Sequence, residues 1–281
     1  MGGLLAMETG QIRHSWTDPD AYETFMGRWS EQLARPFLSF ADIAPGCRVL
    51  DVACGTGVLT KALAEAGARV IGIDASEGYL AGARRHRSHP NIVAYEHGDI
   101  RRMRFDDGAF DAAVCTLVLD LLPPPEIEQL VAEMSRVTRP GGVVATAVHA
   151  FFAGMPAFDL VLNTGAVLDP GLAALRSTRA GRPHLWANAH AALWRRMGLG
   201  DVTEIPAVVD CAYPSFADYW ASITGSPGSL TAPLMAAPRE VRGTIETHVR
   251  DGYLAGLPDG PRIFPMIFRL VRGVVPGVSK T

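Results

Sequence analysis

The residues best placed to do chemistry fall in one short run, Val49-Leu50-Asp51-Val52-Ala53-Cys54-Gly55-Thr56-Gly57. An apolar stretch passes through a carboxylate into a loop of small residues. This is the pattern of a strand feeding a turn that a ligand approaches closely along the backbone. Asp51 sets the polarity of that ligand. A buried carboxylate beside the loop repels a pyrophosphate and suits a phosphate-free ligand with a cationic end, because opposite charges attract strongly where water is partly excluded. A dinucleotide fingerprint, Gly-x-Gly-x-x-Gly, needs a third glycine where this chain, counting from Gly55, has Thr60. The Gly-Lys-Ser/Thr of a triphosphate site is also missing.

Positioning such a loop takes alternating strands and helices, and the spacing of apolar residues predicts them. Strands are expected at 48–53, 69–74, 92–96, 110–115 and 143–149, and helices at 57–66 and 76–87. Ser76 is the expected cap of the second helix and Gly67 the terminator of the first. A further helix follows Pro123-Pro124-Pro125, with Ile127, Leu130, Val131, Met134 and Val137 on one face, and Pro140-Gly141-Gly142 is expected to stop it. Tyr22, Phe25, Trp29, Leu33 and Phe37 predict one or two amphipathic helices before the first strand. Residues 151–197 read as irregular helices, 202–210 as a strand, 216–255 as helices broken near 225–228, and 263–275 as the last strand of the sheet. Residues 1–15 and those after Pro276 read as tails. The alternation implies an α/β fold, a parallel sheet covered by helices on both faces. The expected organisation is a helical cap at 1–40, a ligand-binding core at 41–150, a helical lid at 151–200, and the last strands with a helical insertion at 201–281.

The segment 49–57 resembles the first motif of class I S-adenosylmethionine-dependent methyltransferases, and the chain looks closest to their small-molecule, ubiquinone-biosynthesis-like branch. The resemblance runs from about Tyr22 to His149 and more loosely beyond. It implies a Rossmann-like, mostly parallel seven-stranded sheet with S-adenosylmethionine as cofactor. It also implies that Asp51, Ala53, Cys54, Gly55 and Gly57 line the methionine and ribose portion. Ala53 stands where that family often has glycine. Asp74, at the end of the second strand, can accept hydrogen bonds from both ribose hydroxyls, with Ala75 beside it; a helix-capping Asp is the plainer alternative. Gly98-Asp99-Ile100 resembles the adenine-recognition motif, in which a carboxylate accepts from the exocyclic amine and an apolar side chain covers the ring. The resemblance puts Thr116, after the fourth strand, beside the transferred methyl. Tyr22 and Arg28 resemble a segment that folds over the cofactor, Arg28 pairing with the methionine carboxylate.

Methyl transfer from an activated sulfonium needs a base only when the acceptor arrives protonated. His149, at the end of the fifth strand, and Asp120 are the candidates by location. His86, His89 and His97 lie in polar surroundings and read as surface residues; His184 and His190 read as pocket residues. No set of side chains has metal-ligand spacing. The aromatic run at 151–158, with Trp186 and Trp194, suits an apolar or aromatic acceptor.

Composition narrows the partners. With 26 Lys and Arg against 29 Asp and Glu, net charge −3, the 281-residue chain has no general attraction to nucleic acid. No apolar run reaches membrane-spanning length, and Cys47, Cys54, Cys115 and Cys211 have neither disulfide-framework nor zinc spacing. The expectation is a cytoplasmic enzyme, monomer or homodimer, acting on a small-molecule methyl acceptor. The rivals are a nicotinamide-dependent oxidoreductase and a non-catalytic S-adenosylmethionine-binding protein.

Overall fold

A computed structural model of the chain describes residues 22–151, 154–180, 182, 186–225 and 231–277. The expectations for residues 1–15, for His184, and for most of the tail after Pro276 lie outside them. By contact, the described residues fall into two units. One takes those of Ser30–Ala150, His184–Ala207 and Phe268–Thr281. The other takes those of Met1–Trp29, Phe151–Pro183 and Val208–Ile267.

The first unit is built on strands β1 (Arg48–Val52), β2 (Arg69–Asp74), β3 (Ile92–His97), β4 (Phe110–Thr116) and β5 (Thr138–His149). These five pair in parallel in the order β3-β2-β1-β4-β5. Val49, Leu50, Val52, Ala113 and Val114 are buried without an exposed face, as central strands covered on both sides require. Two later strands, β6 (Gly200–Tyr213) and β7 (Arg262–Val274), complete a seven-stranded sheet, with residues of both units in each. The mostly parallel seven-stranded α/β architecture is as expected. The last strand in the chain is not the last in the sheet, however: β7 runs antiparallel to β5 and separates it from β6.

The helices form where the sequence provides ends as well as apolar faces. Helix α1 (Arg28–Ala41) follows a π-helical turn at Glu23–Gly27. Helix α2 (Val58–Glu65) stops at Gly67, whose φ of +95° suits glycine, and Ala68 N–H returns to Leu63 O at 3.1 Å. Helix α3 (Glu77–His86) is capped by Ser76, whose hydroxyl accepts from Tyr79 N–H. Glu77 in its first turn and Arg84 and Arg85 in its last complement the helix dipole. Helix α4 (Pro124–Val137) opens on prolines whose missing N–H costs nothing there, and it buries the five apolar residues expected of it. Helix α7 (Ala189–Arg196) belongs to the same unit.

Pro140-Gly141-Gly142 does not end α4. The helix ends at Val137, β5 starts at Thr138, and the three residues lie inside the strand. The register against β4 jumps there, from Phe110 opposite Thr138 to Ala112 opposite Val143. The breakers act as a bulge, with Gly141 at φ +75°.

In the other unit, α5 (Pro156–Leu168) packs on α6 (Pro170–Ala180) and α10 (Arg239–Leu254). Helices α8 (Phe216–Thr224) and α9 (Thr231–Ala236) lie between them in the chain. Its centre is aromatic: Tyr219 stacks on Phe264 at 5.5 Å, meets Tyr213 edge-on, and donates its hydroxyl to Ala157 O. Trp29 stacks on Phe158 in the same unit.

The bulge makes a sharp test. A Cβ on Gly142 would lie 2.6 Å from Asp111 O and 2.8 Å from Arg139 O, both backbone atoms. Gly142→Ala is expected to cost about 1–3 kcal/mol, read as a lower urea midpoint; an unchanged midpoint contradicts the packing of this bulge.

Candidate functional site

The site is assembled at the carboxyl edge of the first unit's sheet, from the ends of β1 and β2 outward. Asp51 lies on β1 and is 1% exposed. Its Oδ2 accepts from the Thr60 hydroxyl at 2.6 Å, across from the first turn of α2. Thr60, which in the sequence only marks a missing glycine, is therefore the residue that holds the carboxylate. Burial pushes the Asp51 carboxyl up to about 7, against the Thr60 hydrogen bond, and the nearby Asp74 adds to the rise.

Between β1 and α2 the loop takes three left-handed residues: Ala53 at φ +57°, Gly55 at +54° and Gly57 at +83°. Gly57 needs both its conformation and its lack of side chain, because a Cβ there would stand 2.6 Å from the Tyr95 hydroxyl. Tyr95 itself donates to Arg87 O at 2.8 Å. No sequence signal singled it out, since it reads as an ordinary strand residue. Cys54 ties the loop to β2 through its N–H, 3.0 Å from Ile73 O. Its buried thiol, pushed well up by burial, packs where Gly72 leaves room. Thr56 is buried, and its Oγ1 has no partner among the described residues.

Asp74 ends β2 with both oxygens engaged. Oδ2 accepts from Gly55 N–H at 2.9 Å and Oδ1 from Ser76 N–H at 2.8 Å. Burial raises its carboxyl, and those amides offset part of the rise. The contact with Gly55 brings the second-strand carboxylate and the first-strand loop together. Ala75 is exposed, and its carbonyl lies 3.1 Å from His97 Nε2. Asp99 is exposed and held by its neighbour Arg101, which reaches both carboxylate oxygens and also Glu126; Ile100 is half-buried beside it.

Further along the edge, Thr116 ends β4 and Leu117 follows at φ +64°, buried, its N–H bonded to Ala147 O at 2.8 Å. A non-glycine residue held this way is strained by roughly 1–3 kcal/mol. The bend leads into a 3₁₀ turn at Leu119–Leu121 that carries Asp120. Asp120 Oδ2 meets His149 Nδ1, from the end of β5, at 2.6 Å with both residues buried. The two base candidates are thus one pair. His86 and His97 are exposed and His89 half-buried, while His190 is buried. Tyr22 is half-buried in the other unit, and the side chain of Arg28 lies outside the described residues. Among the described residues no cluster of His, Cys, Asp or Glu is set to hold a metal, and no helix is long and apolar enough to cross a membrane.

Residues 49–142 match the family model described as a methyltransferase domain. The chain is 36% identical over 137 residues to the ubiquinone biosynthesis O-methyltransferase of Methylococcus capsulatus, across 48% of this chain and 56% of that protein. It is 42% identical over 110 residues to the demethylmenaquinone methyltransferase of Renibacterium salmoninarum, across 38% and 44%. The chain thus spans about half the length of the curated relatives it matches. Among solved structures, phosphoethanolamine N-methyltransferase 2 of Haemonchus contortus, in complex with S-adenosyl-L-methionine, aligns at TM-score 0.52 and 17% identity, over 88% of this chain and 53% of that one. The YcgJ protein of Bacillus subtilis aligns at 0.53 and 17%, over 87% and 98%. The match to a methyltransferase-domain model over residues 49–142, and an α/β fold shared with these solved structures, agree with the resemblance of residues 49–57.

Asp51 makes the buried site measurable without any ligand. A carboxyl whose pKa is higher in the folded state than its unfolded value near 4 contributes stability that is fully present below that value. The contribution is lost as pH rises through about 7. Guanidinium melts at about pH 5 and pH 8 are expected to show wild type losing more stability over that interval than Asp51→Asn. Parallel pH profiles contradict a buried Asp51 carboxyl.

Proposed function

We propose that the chain binds S-adenosylmethionine against the loop Ala53–Gly57 and transfers its methyl group to a small aromatic acceptor that carries a hydroxyl. The observation that carries this reading is the pair of buried carboxylates, Asp51 and Asp74, bracketing a loop of positive-φ small residues, with hydrogen-bond donors rather than cations as their partners. Such a place attracts a cation and rejects a phosphate. Thr56 Oγ1, buried and unpartnered, fits the same ligand as a polar atom that gains a hydrogen bond on binding. The methyltransferase domain over residues 49–142 and the names of the curated relatives support both the cofactor and a quinol-like acceptor.

In this reading Asp51 supplies negative charge to the amino-acid end of the cofactor. The small residues Ala53, Cys54, Gly55 and Gly57 let the backbone close on it. Asp74, which can still accept through its remaining lone pairs, takes the ribose hydroxyls, with Ala75 beside it. Asp99 and Ile100 serve the adenine, and Thr116 borders the reacting end. When bound, the cofactor supplies a methyl group already activated by a sulfonium. Holding the reactants in line and excluding water then does most of the work. His149 removes the acceptor's hydroxyl proton. Asp120, bonded to Nδ1, fixes the tautomer in which Nε2 is the basic nitrogen and stabilises the imidazolium that forms.

Calorimetry with S-adenosylmethionine and S-adenosylhomocysteine tests the cofactor; no heat from either at millimolar concentration removes the proposal. Asp74→Ala is expected to weaken binding roughly 10- to 100-fold through loss of hydrogen bonds to a charged group. Affinity for S-adenosylmethionine is expected to rise with pH through about 7 as Asp51 ionises, and Asp51→Asn should flatten that rise. With a catechol or hydroquinone acceptor, His149→Ala should lower kcat roughly 100-fold or more and leave cofactor affinity unchanged. An undiminished kcat assigns the base elsewhere.

A further inference from the structure

Just beyond the end of β3 stands a carboxylate whose direction is set from a helix elsewhere in the chain. Asp99 Oδ1 accepts from Arg101 N–H at 2.9 Å and from Arg101 Nε at 3.0 Å, and Oδ2 accepts from Nη2 at 3.1 Å. The other arm of the guanidinium, Nη1, reaches Glu126 Oε2 at 3.0 Å in the first turn of α4. The main chain of Arg101 is tied to the same helix, its carbonyl accepting from Gln129 Nε2 at 3.2 Å. Met103 N–H donates to Glu133 Oε2 at 2.9 Å, and Arg136 Nη2 donates to Met103 O at 3.0 Å. Glu126, Gln129, Glu133 and Arg136 fall at helical spacing. One polar stripe of α4 therefore holds residues 101–103 and, through Arg101, the Asp99 carboxylate.

Stability does not explain this set. The Asp99 and Arg101 side chains are 52% and 31% exposed, and ion pairs so open to water contribute little. What the fork does fix is direction: a guanidinium bonded to both oxygens holds the plane of a carboxylate that otherwise turns freely. Direction matters because of where Asp99 stands. Gly98 N–H donates to Asp74 O at 3.0 Å, which sets residues 98–100 against the end of β2. Asp99 also lines a cleft whose apolar residues are Ile73, Met103 and Phe105, surroundings that suit a flat ring.

We propose that Arg101 is a positioning residue for base selection, its fork holding Asp99 so that a 6-amino purine is accepted and a 6-oxo purine refused. The inference rests on the reading in which Asp99 serves the adenine of the cofactor. A carboxylate accepts up to about four hydrogen bonds, so Asp99 can take the exocyclic amine while it keeps the guanidinium. Arg101 also offsets its charge, which lowers the cost of covering Asp99 with a neutral base. Hypoxanthine presents a carbonyl oxygen where adenine has its amine. Against a fixed carboxylate, oxygen then faces oxygen with no proton between them; a carboxylate free to turn relieves the clash. Selectivity thus depends on a residue that need not touch the base.

The test is calorimetry on the whole chain with S-adenosylhomocysteine and S-inosylhomocysteine, which differ at that position of the purine. Wild type should prefer the adenine compound roughly 10- to 100-fold. Asp99→Asn should abolish the preference, because its amide can turn and donate to the carbonyl. Arg101→Met should bring the ratio to within about threefold of one, the adenine compound losing affinity while the inosine compound keeps or gains it. Arg101→Lys, which keeps the charge without the fork, should lie between. If Arg101→Met does not fold, Arg101→Lys and Glu126→Ala decide, and both must lower the ratio. A ratio left at its wild-type value overturns the proposal, as does an equal loss for both compounds. The underlying reading fails differently. No heat from either compound in wild type, no preference there, or a preference that survives Asp99→Asn removes the adenine assignment and this proposal with it.

Discussion

A carboxylate buried at the end of a central strand is expensive, and the arrangement around Asp51 follows from how this chain bears that cost. Asp51 is in the sheet's interior with Asp74 close enough to repel it, and among the described residues it is Thr60, by hydroxyl and backbone, that offsets its burial. A fold that wanted stability alone would put an aliphatic side chain there. Keeping the carboxylate requires a donor at fixed distance, so the first turn of α2 must present Thr60 to β1. That requires a loop short and tight enough to bring the helix start back over the strand, and hence the left-handed turns at Ala53, Gly55 and Gly57. The contact from Gly55 N–H to Asp74 then ties this loop to β2. Loop, helix start and second strand are all held by two carboxylates.

The strain along the edge has a common location. In the order β3-β2-β1-β4-β5, the chain winds outward in opposite directions from β1 and β4, and the crevice of an open parallel sheet lies where that direction reverses. The residues immediately after the ends of these two strands, Ala53 and Leu117, both have positive φ without being glycine. Each is anchored by a backbone bond from itself or its neighbour to an adjacent strand: Cys54 N–H to Ile73 O, Leu117 N–H to Ala147 O. The two loops leave the sheet sharply on either side of that crevice.

Much of this was legible in the residues. The strand–loop–helix of 48–65 reads from a run of buried aliphatics followed by small residues, and the caps at Ser76 and Gly67 read from their types. These are local signals, in which one residue's conformational preference decides the outcome. The bulge at Pro140-Gly141-Gly142 was not legible, because the same three residues end a helix or bend a strand depending on what pairs with them, and β4 pairs with them here. Nor was the place of β7, which is decided by sheet pairing and not by its own pattern. In the site, Asp51 and Asp74 announced themselves by type and position. Thr60 and Tyr95 did not, since their importance comes from contacts with residues distant in sequence.

The electrostatics join the two halves of the site. The Cys115 thiol, on β4, is pushed up by burial and then by Asp51, Asp120 and Asp74 together, so a single negative field extends along the sheet edge from the loop carboxylates to the Asp120–His149 pair. That field opposes any oxygen that becomes an anion nearby. In the proposed function, a positively charged donor held against Asp51 and Asp74 offsets the field, so loss of an acceptor's proton beside the pair costs less once the donor is bound, a consequence of where three aspartates are buried.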